Sequence, residues 1–111
     1  MTPERFESWL KVDRKGLYCR PGDFHIDPHG AVRRAIVTHG HSDHARPGHD
    51  AALATEETLA IMGARLGEGA PRRPQPVAYG EPLTIGDVTV TLFPAGHVLG
   101  SAQVLIEYRG V

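Results

Sequence analysis

The residues of this chain best suited to chemistry fall in one run, Thr38-His39-Gly40-His41-Ser42-Asp43-His44. Three imidazoles and a carboxylate are spaced His-x-His-x-Asp-His. Histidine with aspartate is the ligand chemistry of zinc and neighbouring borderline divalent metals. Alternate residues of an extended segment share a side, so His39 and His41 can face one point while Asp43 and His44 diverge. That spacing suits two metals better than one. The chain holds seven histidines, and a polar loop in a His-rich protein is the plain alternative. The run's place at the end of an apolar segment argues for a site at a strand end.

Several elements must bring this run into position. Ala35-Ile36-Val37 is a short continuous apolar stretch, the pattern of a strand buried on both faces, and it delivers the histidines at its C-terminal end. Upstream, Leu17-Tyr18-Cys19 reads as a short strand stopped by Arg20-Pro21-Gly22. Asp23 to Asp27 then alternates Phe24 and Ile26 against polar neighbours. Residues 1–16 are polar apart from Phe6, Trp9 and Leu10, and read as a short amphipathic turn or an edge segment. Downstream, Pro47-Gly48 breaks the chain, and Ala51 to Ala54 is a brief strand. Thr55 then caps a helix whose first turn carries Glu56 and Glu57. Leu59, Met62 and Leu66 give that helix its buried stripe, and Gly67 ends it. Residues 67–76 read as a loop. Strands follow at 77–79, 83–85, 88–93 and 102–108, with Gly86-Asp87 as a turn. His97 falls after the 88–93 strand, again at a strand end.

The whole-chain balance narrows the function classes. Twelve basic residues against thirteen acidic ones leave a formal charge of −1, so no global field draws in nucleic acid. At 111 residues the chain is one domain or less. Cys19 is the single cysteine, which excludes an intrachain disulfide and favours a reducing interior. With no apolar window of membrane-spanning length and no signal core, a soluble, cytoplasmic protein is expected.

The run from Thr38 to His44 resembles the metal-binding motif of the metallo-β-lactamase superfamily. Phe93-Pro94-Ala95-Gly96-His97-Val98-Leu99-Gly100-Ser101-Ala102-Gln103 is similar to the third-histidine segment of its β-CASP nuclease branch. Gly22-Asp23-Phe24-His25-Ile26-Asp27-Pro28, taken with Ala35-Ile36-Val37-Thr38-His39, looks closer still to bacterial ligase-associated DNA exonucleases. The resemblance covers nearly the whole chain and the N-terminal third of such a protein. It implies an α/β chain, residues 1–111 forming the N-terminal part of a four-layer αββα sandwich, with a mixed sheet and a strand-end metal site. It implies two zinc ions in the intact enzyme, one held by His39, His41 and His97, the other by Asp43 and His44, which belong to the catalytic machinery. Asp27 matches the first acidic motif and is expected to orient a ligand rather than bind metal. Two such metals, about 3.5–4 Å apart, activate a water for in-line attack on a phosphodiester.

The same resemblance implies a DNA substrate, a DNA ligase and an associated helicase as partners, and a role in repair. An RNA-processing β-CASP nuclease is the alternative within enzymes. A non-catalytic fragment that keeps zinc for stability is the alternative outside them. A bridging aspartate, a later histidine ligand and the inserted β-CASP region are all expected beyond Val111, so this chain alone is expected to bind zinc weakly and to be inactive. His25, His29 and His49 lack partner spacing and read as loop or surface histidines, with His49 the nearest to the site. Arg33-Arg34 and Arg72-Arg73 read as exposed pairs beside turns. Ser101 reads either as a hydrogen-bonding neighbour of the site or as a small residue at a crowded strand start.

Overall fold

The structure is a computed structural model, and it describes residues 8–40, 45–96 and 100–108. Nine strands and one helix make two sheets and a covering layer. Strands β1 (Leu10–Asp13), β2 (Gly16–Cys19), β3 (Phe24–Ile26), β4 (Arg34–Ile36), β5 (Ala51–Ala54) and β6 (Arg73–Pro76) lie side by side in chain order in one sheet. Its first three strands pair antiparallel, and β3 to β6 run parallel. Strands β7 (Leu83–Ile85), β8 (Val88–Pro94) and β9 (Ala102–Glu107) form an antiparallel second sheet. Helix α1 (Glu56–Leu66) connects β5 to β6.

Strand periodicity explains the layering. Successive side chains of a strand point to opposite faces. Ile36 and Leu53 therefore go to one side of the large sheet, where they meet Phe24, Val88, Val90 and Leu92 in the core between the sheets. Ala35, Val37, Ala52 and Ala54 go to the other side, where Met62 of α1 packs with Leu59 and Leu66 alongside. Small residues on that face let the helix lie close. The result is a mixed α/β arrangement of three layers, helix on sheet on sheet. Thr55 caps α1 as expected, its hydroxyl accepting from Thr58 N at 3.2 Å, and Gly67 ends it at φ 53°.

Two expectations are corrected. Residues 77–79 form no strand; the strand lies at Arg73–Pro76, inside the stretch read as a loop. Two prolines in four residues argue against a strand, yet register makes them harmless. Arg73 N donates to Asp50 O and Val77 N to Ala54 O. The odd-numbered amides thus face β5, and the alternate positions Pro74 and Pro76 turn their donorless nitrogens outward. Prolines there blunt the outer edge against further pairing. The polar stretch before residue 17 does supply an edge segment, since Leu10–Asp13 is the outermost strand of the large sheet, paired with Gly16–Cys19 as a hairpin. Val12 on that hairpin is 79% exposed, so no apolar alternation announced it.

Met62 is fully buried at the helix–sheet contact, and its neighbour on the stripe, Leu66, is half-buried. Met62→Ala should cost about 2–5 kcal/mol, read as a lower denaturant midpoint at unchanged slope. Leu66→Ala should cost clearly less; equal losses would contradict this account of where the helix is anchored.

Candidate metal centre

Of the five residues expected to hold metal, His39 lies within the described residues; His41, Asp43, His44 and His97 lie outside them. The site is therefore built from His39, Asp27 and the segments that flank the others.

Asp27 follows β3 and donates its amide to Ile36 O at 2.9 Å, tying the end of β3 to β4. Its backbone sits at φ 45°, a left-handed conformation that aspartate tolerates better than most residues. From there its carboxylate takes both donors of Thr38, the amide to Oδ1 at 2.8 Å and the hydroxyl to Oδ2 at 2.6 Å. The Thr38 hydroxyl also lies 2.9 Å from His39 Nδ1. A hydroxyl has one hydrogen, and a carboxylate only accepts. With that hydrogen committed to Asp27, Thr38 can only accept from His39, so Nδ1 carries the imidazole proton and the ring lone pair sits on Nε2. An outer carboxylate fixing tautomer and ring orientation through hydrogen bonds is the standard support of a metal-ligating histidine. Asp27 thus acts on His39 through Thr38, a residue whose part sequence reading did not identify. Its signal was a hydroxyl residue directly before the first histidine.

The start of β9 is brought to the same place. Ala102 N donates to the Thr38 carbonyl at 2.8 Å, joining the start of β9 to the end of β4 across the two sheets. Ser101 is buried at this junction. Its carbonyl accepts from Tyr79 Oη at 2.7 Å and from Ala95 N at 3.2 Å. Burial, with a smaller push from Glu57, raises the Tyr79 phenol above its ordinary pKa, so it stays a donor at neutral pH. Gly40, between the first two histidines of the run, meets α1 directly. A side-chain carbon added there would come within 2.6 Å of Ile61, and Arg65 donates to the Gly40 carbonyl. The ends of β4 and β8 and the start of β9 therefore converge. Among the described residues no three His, Cys, Asp or Glu side chains surround one point.

His49 is a correction. Read as a loop or surface histidine, it is 1% exposed, and its Nδ1 accepts from Val32 N at 3.1 Å. His25 is the partner of Asp13, Nε2 to Oδ2 at 2.8 Å, and His29 is exposed. Arg33, Arg72 and Arg73 are exposed, Arg33 meeting Asp23 and Arg73 meeting Asp50, whereas Arg34, read as exposed, is half-buried in β4 and donates to the Gly22 carbonyl at 3.3 Å.

No protein-family model matches the chain. It is 42% identical over 93 residues to a protein of Opitutus terrae described as "Probable DNA ligase". The match covers 84% of this chain and 9% of that protein, so the chain spans about a tenth of the length of the relative it matches. No helix among the described residues is long and apolar enough to cross a membrane.

Burial lowers the pKa of His49 below its ordinary 6.5, with smaller contributions from His25 and Lys15. The folded protein thus holds the ring neutral while the unfolded chain protonates it at higher pH. The stability this gives is complete above about pH 6.5 and is lost as pH falls through the lowered folded value. Melting of the metal-free protein should fall more steeply from pH 7.5 to 5 than melting of His49→Asn, which keeps an acceptor for Val32. Parallel curves would contradict the assignment.

Proposed function

We propose that this chain is the metal-holding N-terminal part of a metallo-β-lactamase-type DNA nuclease, an exonuclease working beside a DNA ligase. The observation that carries the reading is the Asp27–Thr38–His39 hydrogen-bond chain at the junction of β4 and β9. It is the orientation a zinc ligand needs, and it stands where the first histidine of the motif begins. The three layers found among the described residues are compatible with three of the four in an αββα sandwich. The name of the Opitutus terrae relative favours DNA over RNA as the polymer involved.

In this reading His39, His41 and His97 hold one zinc, and Asp43 and His44 hold a second with ligands from the remaining polypeptide. Bound zinc would supply positive charge and an acidified water for phosphodiester hydrolysis. The donors suit that chemistry. Neutral imidazoles and a carboxylate leave the metal electrophilic, whereas a set of thiolates would dissipate its charge. The protein's own contribution is orientation. Asp27 holds Thr38, Thr38 holds the His39 ring, and Arg65 and Ile61 hold Gly40 so that His41 follows in a fixed direction.

In the full polypeptide, His39→Ala should abolish zinc-dependent hydrolysis of single-stranded DNA, and Arg72→Ala should leave it unchanged. Asp27→Ala should weaken zinc binding by about 10–100-fold, the usual cost of losing an outer partner. Wild-type turnover by the His39 variant would remove the metal assignment. Preferred cleavage of a matched RNA strand would redirect the substrate to RNA, and zinc binding without any cleavage would make the protein a binding module.

A further inference from the structure

The strands β4, β5 and β6 open on residues of a single row. Arg34 stands opposite Ala51, and Ala51 stands opposite Arg73. Neighbouring strands lie about 4.8 Å apart, so the backbones of the two arginines flank the alanine at a separation of about 10 Å. Side chains of one strand alternate between faces. Arg34 therefore shares the face of Ile36, and Ala51 that of Leu53, which is the face turned to the second sheet. Further along the strands apolar side chains fill that space. At this end it opens into a cleft of about 520 Å³, bounded on the other side by Leu83, Thr84 and Ile85 of β7.

The charge in this cleft has one sign. Among the described residues that line it, Arg34 and Arg73 alone are ionisable. Arg34 is half-buried, and its described bond runs from Nη1 to the Gly22 carbonyl at 3.3 Å. A guanidinium carries five donors in a planar fork, so most of those on Arg34 have no described acceptor. Arg73 meets Asp50, which lies outside the lining, and stays exposed. Packing alone does not call for this arrangement. Arginine is rarely buried unless it is paired, and withdrawing a cation from water costs free energy until something pairs it. The small side chain of Ala51 leaves the room between the two guanidinium groups unfilled.

We propose that this cleft is a phosphate-binding site, in which Arg34 and Arg73 grip one phosphate group above Ala51. Arginine forks match phosphate oxygens bidentately. The cleft is larger than a phosphate needs and falls in the size range of small-ligand sites. The phosphate is therefore carried on a larger molecule, with Leu83 and Ile85 offering apolar surface to its organic part. A nucleotide and the backbone of a polynucleotide share this chemistry. The row lies at the N-terminal ends of β4 to β6, the far end of the sheet from His39, so the site does not depend on the metal.

Binding to the 111-residue chain, kept metal-free with EDTA at one low salt concentration, tests the proposal. The probes are a labelled single-stranded oligodeoxynucleotide, read by fluorescence anisotropy, and deoxythymidine monophosphate, read by calorimetry. Circular dichroism reports whether each variant folds. Arg73→Gln should weaken binding about tenfold, the loss of a charge-assisted hydrogen bond. Arg72→Gln makes the same change of charge one residue away, outside the lining, and should have little effect. Ala51→Leu fills the space between the arginines without altering charge, and should weaken binding at least as much as Arg73→Gln. Arg34→Gln carries the same expectation as Arg73→Gln; should it fail to fold, the Arg73 and Ala51 variants decide. Much tighter binding of the oligonucleotide assigns the site to a strand's backbone, and comparable affinities assign it to a small phosphate ester. Failure of both probes to bind, equal losses in Arg72→Gln and Arg73→Gln, or parental affinity in folded Ala51→Leu would overturn the site. With zinc absent throughout, each of these results leaves the reading of His39 as a ligand untouched.

Discussion

The structure around this centre depends on the complete commitment of one residue. Every polar group of Thr38 is engaged: its amide and hydroxyl donate to Asp27, its hydroxyl accepts from His39, and its carbonyl accepts from Ala102. One residue thus joins the end of β3, the first histidine and the second sheet. A half-buried donor or acceptor left unpaired costs about 1–3 kcal/mol, so each bond constrains the others. The left-handed backbone of Asp27, a conformation that costs about 1–3 kcal/mol, is held in place by the same contacts. Strain at this point and full hydrogen bonding at the next are what fix the His39 tautomer.

The layers explain why Asp27, Thr38 and the half-buried His39 share one end of the sheet with the start of α1. Parallel strands β3 to β6 send their C-terminal ends the same way, and helix α1 begins just after β5 reaches that end. Its first turn therefore stands where β4 stops and where β9 begins. The opposite end of the sheet carries exposed Arg33 and Arg73 but also one buried ring. There His49 is neutral, accepts from Val32, and has no described partner for its Nε2. Two histidines of one fold thus answer to different constraints, the half-buried His39 hydrogen-bonded to Thr38 and the buried His49 desolvated.

Much of this was legible in the sequence because the relevant signals are local. Apolar alternation in Val88, Val90 and Leu92, the Thr55 cap and the Leu59–Met62–Leu66 stripe each state a period or a hydrogen bond within a few residues. Asp27 stood out through its motif, and its carboxylate accepts both donors of Thr38. The features that escaped reading are those set by register or by distant contacts. Pro74 and Pro76 read as strand breakers until pairing with β5 decides which way their nitrogens face. The β1–β2 hairpin presents Val12 to solvent and so shows no alternation. His49 carries no partner in sequence, and the amide that bonds its ring belongs to Val32, seventeen residues away. Thr58 looks like an ordinary helix residue until its hydroxyl meets the Gly100 carbonyl from the far end of the chain.

The central claim is that Thr38 holds His39 as the tautomer with its proton on Nδ1, presenting Nε2 to a metal. Nitrogen-15 NMR of the imidazoles, recorded on the metal-free chain and again with zinc, tests it most directly. The account predicts a protonated Nδ1 and an unprotonated Nε2 for His39 before zinc is added, with the Nε2 resonance moving on zinc binding and Nδ1 keeping its proton. A His39 ring protonated on Nε2, or an Nε2 resonance indifferent to zinc, would contradict it.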